Sequence, residues 1–191
     1  MILKYLQISE YDPVPVKSLV CLMVELENLF DCIGEYLLSS GETVSTAEGV
    51  TSGFLQFSFS QMKEACGFFK GGMTAYSLNE KVNLLAVDEG EARQYNCVSR
   101  QIAKTMALEV ASLYKTDWSI GITGYAAAVK ESKGKVYAYF AIAYKGNIVL
   151  SERLDLHSRT KSVSAKLFYT EFILGCFKLE LDKHKENNSS G

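Results

Sequence analysis

Proline is almost absent: the chain has two, Pro13 and Pro15. Nothing after residue 15 is therefore interrupted by a residue that cannot donate a backbone hydrogen bond. Histidine is equally scarce. His157 and His184 are the only two, and neither stands at ligand spacing from a cysteine, so no metal site is expected and no cofactor is implied. Charge is close to balanced, with 20 Lys and Arg against 22 Asp and Glu for a net of −2. A protein that neutralises a phosphate backbone concentrates Lys and Arg, so nucleic acid is not an expected partner. No run approaches the ~20 apolar residues of a membrane span. The amino-terminal sequence MILKYLQISEYDPVPV reaches charges and prolines before an apolar core of signal-peptide form. A cytoplasmic chain without membrane contact is the expectation. Five cysteines, Cys21, Cys32, Cys66, Cys97 and Cys176, include no CxxC pair and sit in or beside apolar stretches, which predicts buried, reduced thiols.

What the chain does have is enough apolar residue for one core. Of 191 residues 48% are hydrophobic and 22% charged, and a chain this long buries roughly 70% of the surface its unfolded form exposes. Residues 1–17 read as an added arm, alternating in ILKYLQI and then held extended by the prolines. A single domain is expected over 18–184, and the polar residues 185–191 predict a frayed tail. Within the domain, apolar residues recurring at three and four predict an amphipathic helix over 18–39, closed near Gly41. Residues 43–48 read as a strand, 49–53 as a polar turn, and a mostly apolar segment through Met62 completes a strand, turn, helix unit. Residues 66–76 are β-prone, 79–85 a short helix capped by Ser77 or Asn79, and 99–114 a helix begun by Ser99. A strand over 118–123 ends at Gly124. Two β-rich runs, 135–144 and 148–156, joined at Lys145-Gly146-Asn147, predict an antiparallel hairpin, and 162–183 a last helix. The alternation predicts the α/β class, a three-layer α/β/α sandwich with a mixed sheet.

In such a sheet, ligands sit beyond the carboxyl ends of strands, where helix amino termini offer unpaired N–H groups. The turns at 48–53, 76–81 and 123–128 occupy such places, and they carry a resemblance. Thr46-Ala47-Glu48-Gly49-Val50-Thr51-Ser52-Gly53 resembles the signature T-A-E-S-C-T-G-G of the CinA carboxy-terminal domain family, and Gly71-Gly72-Met73-Thr74-Ala75-Tyr76-Ser77-Leu78-Asn79-Glu80-Lys81 resembles its G-G-F-V-T-Y-S-N-E-A-K. Val98-Ser99 matches the family's A-V-S-E helix start, Ile120-Gly121-Ile122-Thr123-Gly124 its strand ending in T-G, and Arg159 stands where the family has G-D-R. The resemblance runs over about 42–177. Family members hydrolyse nicotinamide mononucleotide to nicotinic acid mononucleotide and ammonia, with a serine of the first motif as nucleophile and a lysine of the second as its base. The resemblance implies that fold, catalytic positions at Lys81 and Tyr76, and a nucleotide held by Glu48, Thr51, Ser52, Ser77, Thr123, Gly124 and Arg159. It also implies a homo-oligomer.

Three departures bear on activity. The nucleophile position is Gly49, which has no side chain to attack a carbonyl. The family's glycine-rich turn T-G-I-A-G-P-G-G-G is Thr123-Gly124-Tyr125-Ala126-Ala127-Ala128-Val129 here, offering a phosphate fewer open amides. A second arginine expected four residues after Arg159 is Val163. The leading expectation is a catalytically impaired nucleotide-binding or interaction module whose pocket is lined by Glu48, Tyr76, Lys81 and Arg159. The alternatives are an active amidohydrolase using Thr51, Ser52 or a Lys81-activated water, and a structural subunit. Ser52 is expected to cap the helix after it. Glu48 either orients Lys81 or sits at a helix amino terminus, and Arg159 either holds an anion or makes a surface ion pair. The aromatic runs at 54–59 and 168–172 read as core or a subunit interface.

Overall fold

The computed structural model describes residues 16–189, with side chains over 27–187. The expected arm lies outside the described residues except for Val16 and Lys17, which already belong to helix α1 (Val16–Ser40). Strand β1 (Val44–Glu48) leads into α2 (Phe54–Ser60), and β2 (Phe69–Thr74) into α3 (Leu78–Leu85). Then come α4 (Glu89–Gln94), α5 (Arg100–Tyr114), the strands β3 (Trp118–Tyr125), β4 (Val136–Tyr144) and β5 (Asn147–Leu156), and α6 (Ser162–Ser189). The sheet order is β2-β1-β3-β4-β5. β1 runs parallel to β2 and β3, and β4 runs antiparallel to β3 and β5. This is the mixed α/β sheet that the order of elements predicts.

Alternation along the strands gives the two faces different characters. Trp118, Ile120 and Ile122 of β3 and Phe140 and Ile142 of β4 pack into the larger core with α1, α2 and α6. On the other face the strands carry small residues, and α5 lies almost directly on them. Ala141 and Ala143 meet Ala103 and Ala107. Ser119 donates to the Ala107 carbonyl at 2.7 Å and Ser45 to the Val110 carbonyl at 3.3 Å, so even the hydroxyls of this face are spent on the helix backbone. A satellite cluster including Leu85, Val87, Ala92 and Met106 ties α3 and α4 to α5.

Several elements differ from the sequence reading. β2 begins only at Phe69, because Ala65–Gly67 forms a single 3-10 turn. The short α4 has no counterpart in the reading; six residues are too few for a periodic signal, and the helix is started by Asp88, whose carboxylate accepts from Glu91 N at 2.7 Å. The last helix continues to Ser189 where a frayed tail is expected from 185: residues 183–189 contain neither Gly nor Pro, and Lys178–Asp182 and Lys183–Glu180 pairs brace the preceding turn. The hairpin falls where expected, with Lys145 (φ 46°) and Gly146 (φ 77°) both left-handed, as a two-residue turn of the twist-compatible type requires. The cysteine expectation needs correction. Cys32 and Cys66 are exposed, and Cys97 and Cys176 half-buried; these four are free thiols, while the Cys21 side chain lies outside the described residues. An apolar neighbourhood in sequence does not place a residue on the inward face, since only one stripe of a helix is covered. Among the described residues no helix is long and apolar enough to cross a membrane.

Gly121 marks the tightest point of the α5 contact: a Cβ there would lie 2.4 Å from Ala103 O and 2.5 Å from Ala107 N, both backbone atoms that cannot step aside. Gly121→Ala is expected to lower stability by about 2–3 kcal/mol by forcing helix and sheet apart, read as a lower urea midpoint.

Candidate functional site

A cavity of about 340 Å³ opens where the parallel strands β1 and β3 end. Gly49 and Val50 from the turn after β1, and the segment 123–127 at the end of β3, form one side. Tyr76 and Lys81 enter from the loop after β2 and from α3, Asn96 to Val98 from the loop before α5, and Ser162 and Lys166 from α6. The lining holds two lysines and no aspartate or glutamate.

Glu48 sets the turn that makes this possible. Its side chain is fully buried and accepts three backbone N–H bonds, from Gly53 and Leu55 at 2.9 and 3.1 Å on one oxygen and from Gln56 at 2.9 Å on the other. It thus satisfies the orphan donors of the first turn of α2 and meets the positive end of that helix. Its carboxylate is committed there and does not line the cavity. Ser52, expected as the cap, is not one: Gly53 holds the cap position with φ 98°, and Ser52, itself left-handed at φ 54°, accepts from Lys166 Nζ at 2.9 Å. Thr51 is fully buried, outside the lining, and its hydroxyl has no hydrogen-bond partner.

Lys81 is 3% exposed. Its Nζ donates to Ala75 O at 2.6 Å and Tyr76 O at 3.2 Å. Burial pulls its pKa below the ordinary 10.5, against the opposing influence of Cys97 and Glu80. Gly49 faces it. The Gly49 N–H donates to Ile122 O at 2.9 Å, and a Cβ at Gly49 would stand 3.4 Å from Lys81 Nζ and 3.3 Å from Ile122 O. The Gly49 φ lies outside the left-handed region, so the backbone conformation suits a serine, whose Cβ would crowd the Ile122 carbonyl and require it to give by a few tenths of an ångström, with the hydroxyl one bond further and within reach of the lysine.

The other expected residues divide. Tyr76 lines the rim, 71% exposed. Thr123 and Gly124 line the cavity; the Thr123 hydroxyl donates to Cys97 O at 2.6 Å, and a Cβ at Gly124 would lie 2.5 Å from Tyr137 O, so β4 excludes any larger residue there. Ser77 holds the cap position of α3 without a side-chain cap bond, and is not in the lining. Arg159 is exposed in the turn before α6 and also outside the lining. The pocket expected from Glu48, Tyr76, Lys81 and Arg159 therefore exists with only the middle two in it.

The lining also contains residues that the sequence reading missed. Asn96 and Cys97 are consecutive left-handed residues, at φ 49° and 62°, a strained pair pinned by Cys97 N to Ala92 O at 2.7 Å and by the Thr123 bond. Burial pushes the Cys97 thiol up, with Lys81 pulling it the other way. An asparagine just before a helix start was the available sign, since it tolerates that conformation. Lys166 lies one turn along α6 from the exposed Val163 that replaces the expected second arginine, and that helical spacing was its available sign.

Fold and cavity together define an α/β domain with a cavity at the carboxyl ends of its parallel strands, where ligands of such sheets are held. The CinA C-terminal domain model matches residues 26–171, and the chain belongs to that family. Its relatives include a CinA-like protein from Rippkaea orientalis, 40% identical over 52% of this chain and 24% of its own length, and one from Nostoc sp., 33% identical over 67% and 31%. The chain spans less than a third of the length of these curated relatives. Among solved structures, CinA superfamily proteins from Klebsiella pneumoniae (TM-score 0.75, 21% identity, 83% of this chain and 98% of that one) and Enterobacter cloacae (TM-score 0.76, 22% identity, 82% and 92%) share the fold.

Two outcomes follow from the geometry. Glu48→Gln leaves an amide N–H₂ facing backbone donors and is expected to cost about 2 kcal/mol in urea unfolding without altering the cavity lining. For Lys81, a folded pKa below the unfolded 10.5 means that the unfolded chain binds more protons between the two values. Burying Lys81 therefore costs stability at neutral pH, and the cost fades as pH rises through the folded value towards 10.5. Urea midpoints of wild type and Lys81→Met, measured from pH 7 to 10.5, are expected to shift relative to each other in favour of the wild type as pH rises.

Proposed function

We propose that this domain has lost amide hydrolysis and retains a pocket for a small nucleotide such as nicotinamide mononucleotide, acting as a binding or regulatory module. The observation that carries the reading is Gly49, beside Lys81 in the cavity lining with no side chain where the family resemblance places the serine. The hydroxyls of the turn after β1 do not replace it: Thr51 is buried outside the cavity, and Ser52 is engaged by Lys166. Without its nucleophile such a site keeps only the modest rate advantage of binding and oxyanion contacts.

The second reading is an amidohydrolase that works through a Lys81-activated water. The lowered pKa of Lys81 favours it, since a neutral amine is a usable base. Ammonia release from nicotinamide mononucleotide separates the two. The wild type is expected to release none above background, and Gly49→Ser to gain at least on the order of 10²-fold as the serine meets the lysine. Wild-type turnover that Lys81→Ala abolishes would overturn the silent-domain reading.

Self-association belongs to the same proposal. Phe168 and Phe172 of α6 are 44% and 43% exposed and stacked at 6.0 Å, an apolar pair suited to a second copy. Light scattering is expected to give a mass above the monomer, and a strict monomer at high concentration would end this part of the reading.

A further inference from the structure

We infer that losing the side chain at Gly49 turns Lys81 from a catalytic base into the anchor of an acid subsite, so that the cavity takes the carboxylate form of a small phosphorylated ligand in preference to its amide. The inference rests on the reading of the cavity as a ligand site and says which chemical form occupies it.

Three observations carry it. First, a lysine ammonium has three donors, and Lys81 spends two, on Ala75 O and Tyr76 O. Both acceptors are neutral carbonyls. Gly49 places no side chain beside the ammonium, where a Cβ would stand 3.4 Å from Nζ and 3.3 Å from Ile122 O, and both Gly49 and Lys81 line the cavity. Second, no carboxylate lines the cavity to balance this charge. Glu80 acts on Lys81 and Glu131 on Tyr125, both from outside the lining, and the titratable groups that share the cavity with Lys81 are Cys97, Tyr76, Tyr125 and Lys166. Third, Lys166 enters from α6 with a neutral partner, Ser52 Oγ at 2.9 Å, so the cavity carries a second cation that no anion of the lining offsets.

A buried ammonium paired only with carbonyls is poorly compensated for its lost hydration. A ligand carboxylate supplies the full opposite charge and accepts the unspent donor in a charge-assisted bond. An amide in the same place offers only a carbonyl dipole, and its N–H₂ group would face the ammonium with nothing to accept from it. Lys166 then serves the ligand's phosphate, one helical turn from the position that Val163 leaves without a cation. The site discriminates by charge at Lys81 and holds by charge at Lys166.

Isothermal titration at pH 7 with nicotinic acid mononucleotide and with nicotinamide mononucleotide tests this, because the two differ only at the acid or amide. The acid is expected to bind at least about tenfold more tightly, a difference of about 1.4 kcal/mol. Lys81→Met, close in shape but uncharged, should bring the ratio near one, while Lys166→Gln should weaken both ligands by roughly tenfold and leave the ratio intact. Equal or reversed affinities in the wild type, or a preference that survives Lys81→Met, overturn the acid subsite while leaving a ligand pocket. Absence of binding by either nucleotide overturns the pocket reading itself, and this inference with it.

Discussion

The three hydrogen bonds that the cap residue Gly53 and the first turn of α2 donate to the buried Glu48 carboxylate are the constraint on which the site depends. A carboxylate taken fully out of water is expensive unless its acceptors are filled, and here backbone N–H groups fill them. The arrangement forces the chain to turn sharply after β1, through a left-handed Ser52 and Gly53, and brings α2 back against the strand that precedes it. Gly49 is thereby held over Ile122 of β3 and beside Lys81 of α3. The residue that resembles part of a catalytic signature works in this structure as the clamp that aims the next residue.

The close approach of α5 to the sheet supplies the rest of the geometry. Because β3 and β4 present Ser119, Gly121, Ala141 and Ala143 to that helix, the loop before it descends to the level of the strand ends, and Cys97 O comes within 2.6 Å of the Thr123 hydroxyl. The left-handed strain at Asn96 and Cys97 is held by these contacts. A wall of the cavity is therefore set by small residues of β3 and β4 that lie outside the lining and are distant in sequence from the loop they position.

Elements with a periodic signal were legible. The helix begun by Ser99, which caps it by accepting from Ile102 N at 3.0 Å, the strand from Trp118, and the hairpin at Lys145-Gly146 stand where local chemistry places them. That Lys81 and Tyr76 come to one cavity was legible, since their motif fixes their spacing. The surroundings of Ser52, Arg159 and the cysteines were not legible, because contacts with α6, the position of a helix start, and which stripe of a helix turns inward set them.

The amino-acid sequence by itself determined the order of the elements, the mixed α/β class, and the absence of a side chain at Gly49, because periodicity, capping and residue identity are local properties of the chain. Only the tertiary structure decided that Glu48 is committed to α2, that Lys81 is buried with a donor unspent, and that Lys166 reaches the same cavity from α6. Charge, burial and hydrogen-bond supply are properties of what folding brings together, and no spacing along the chain encodes them.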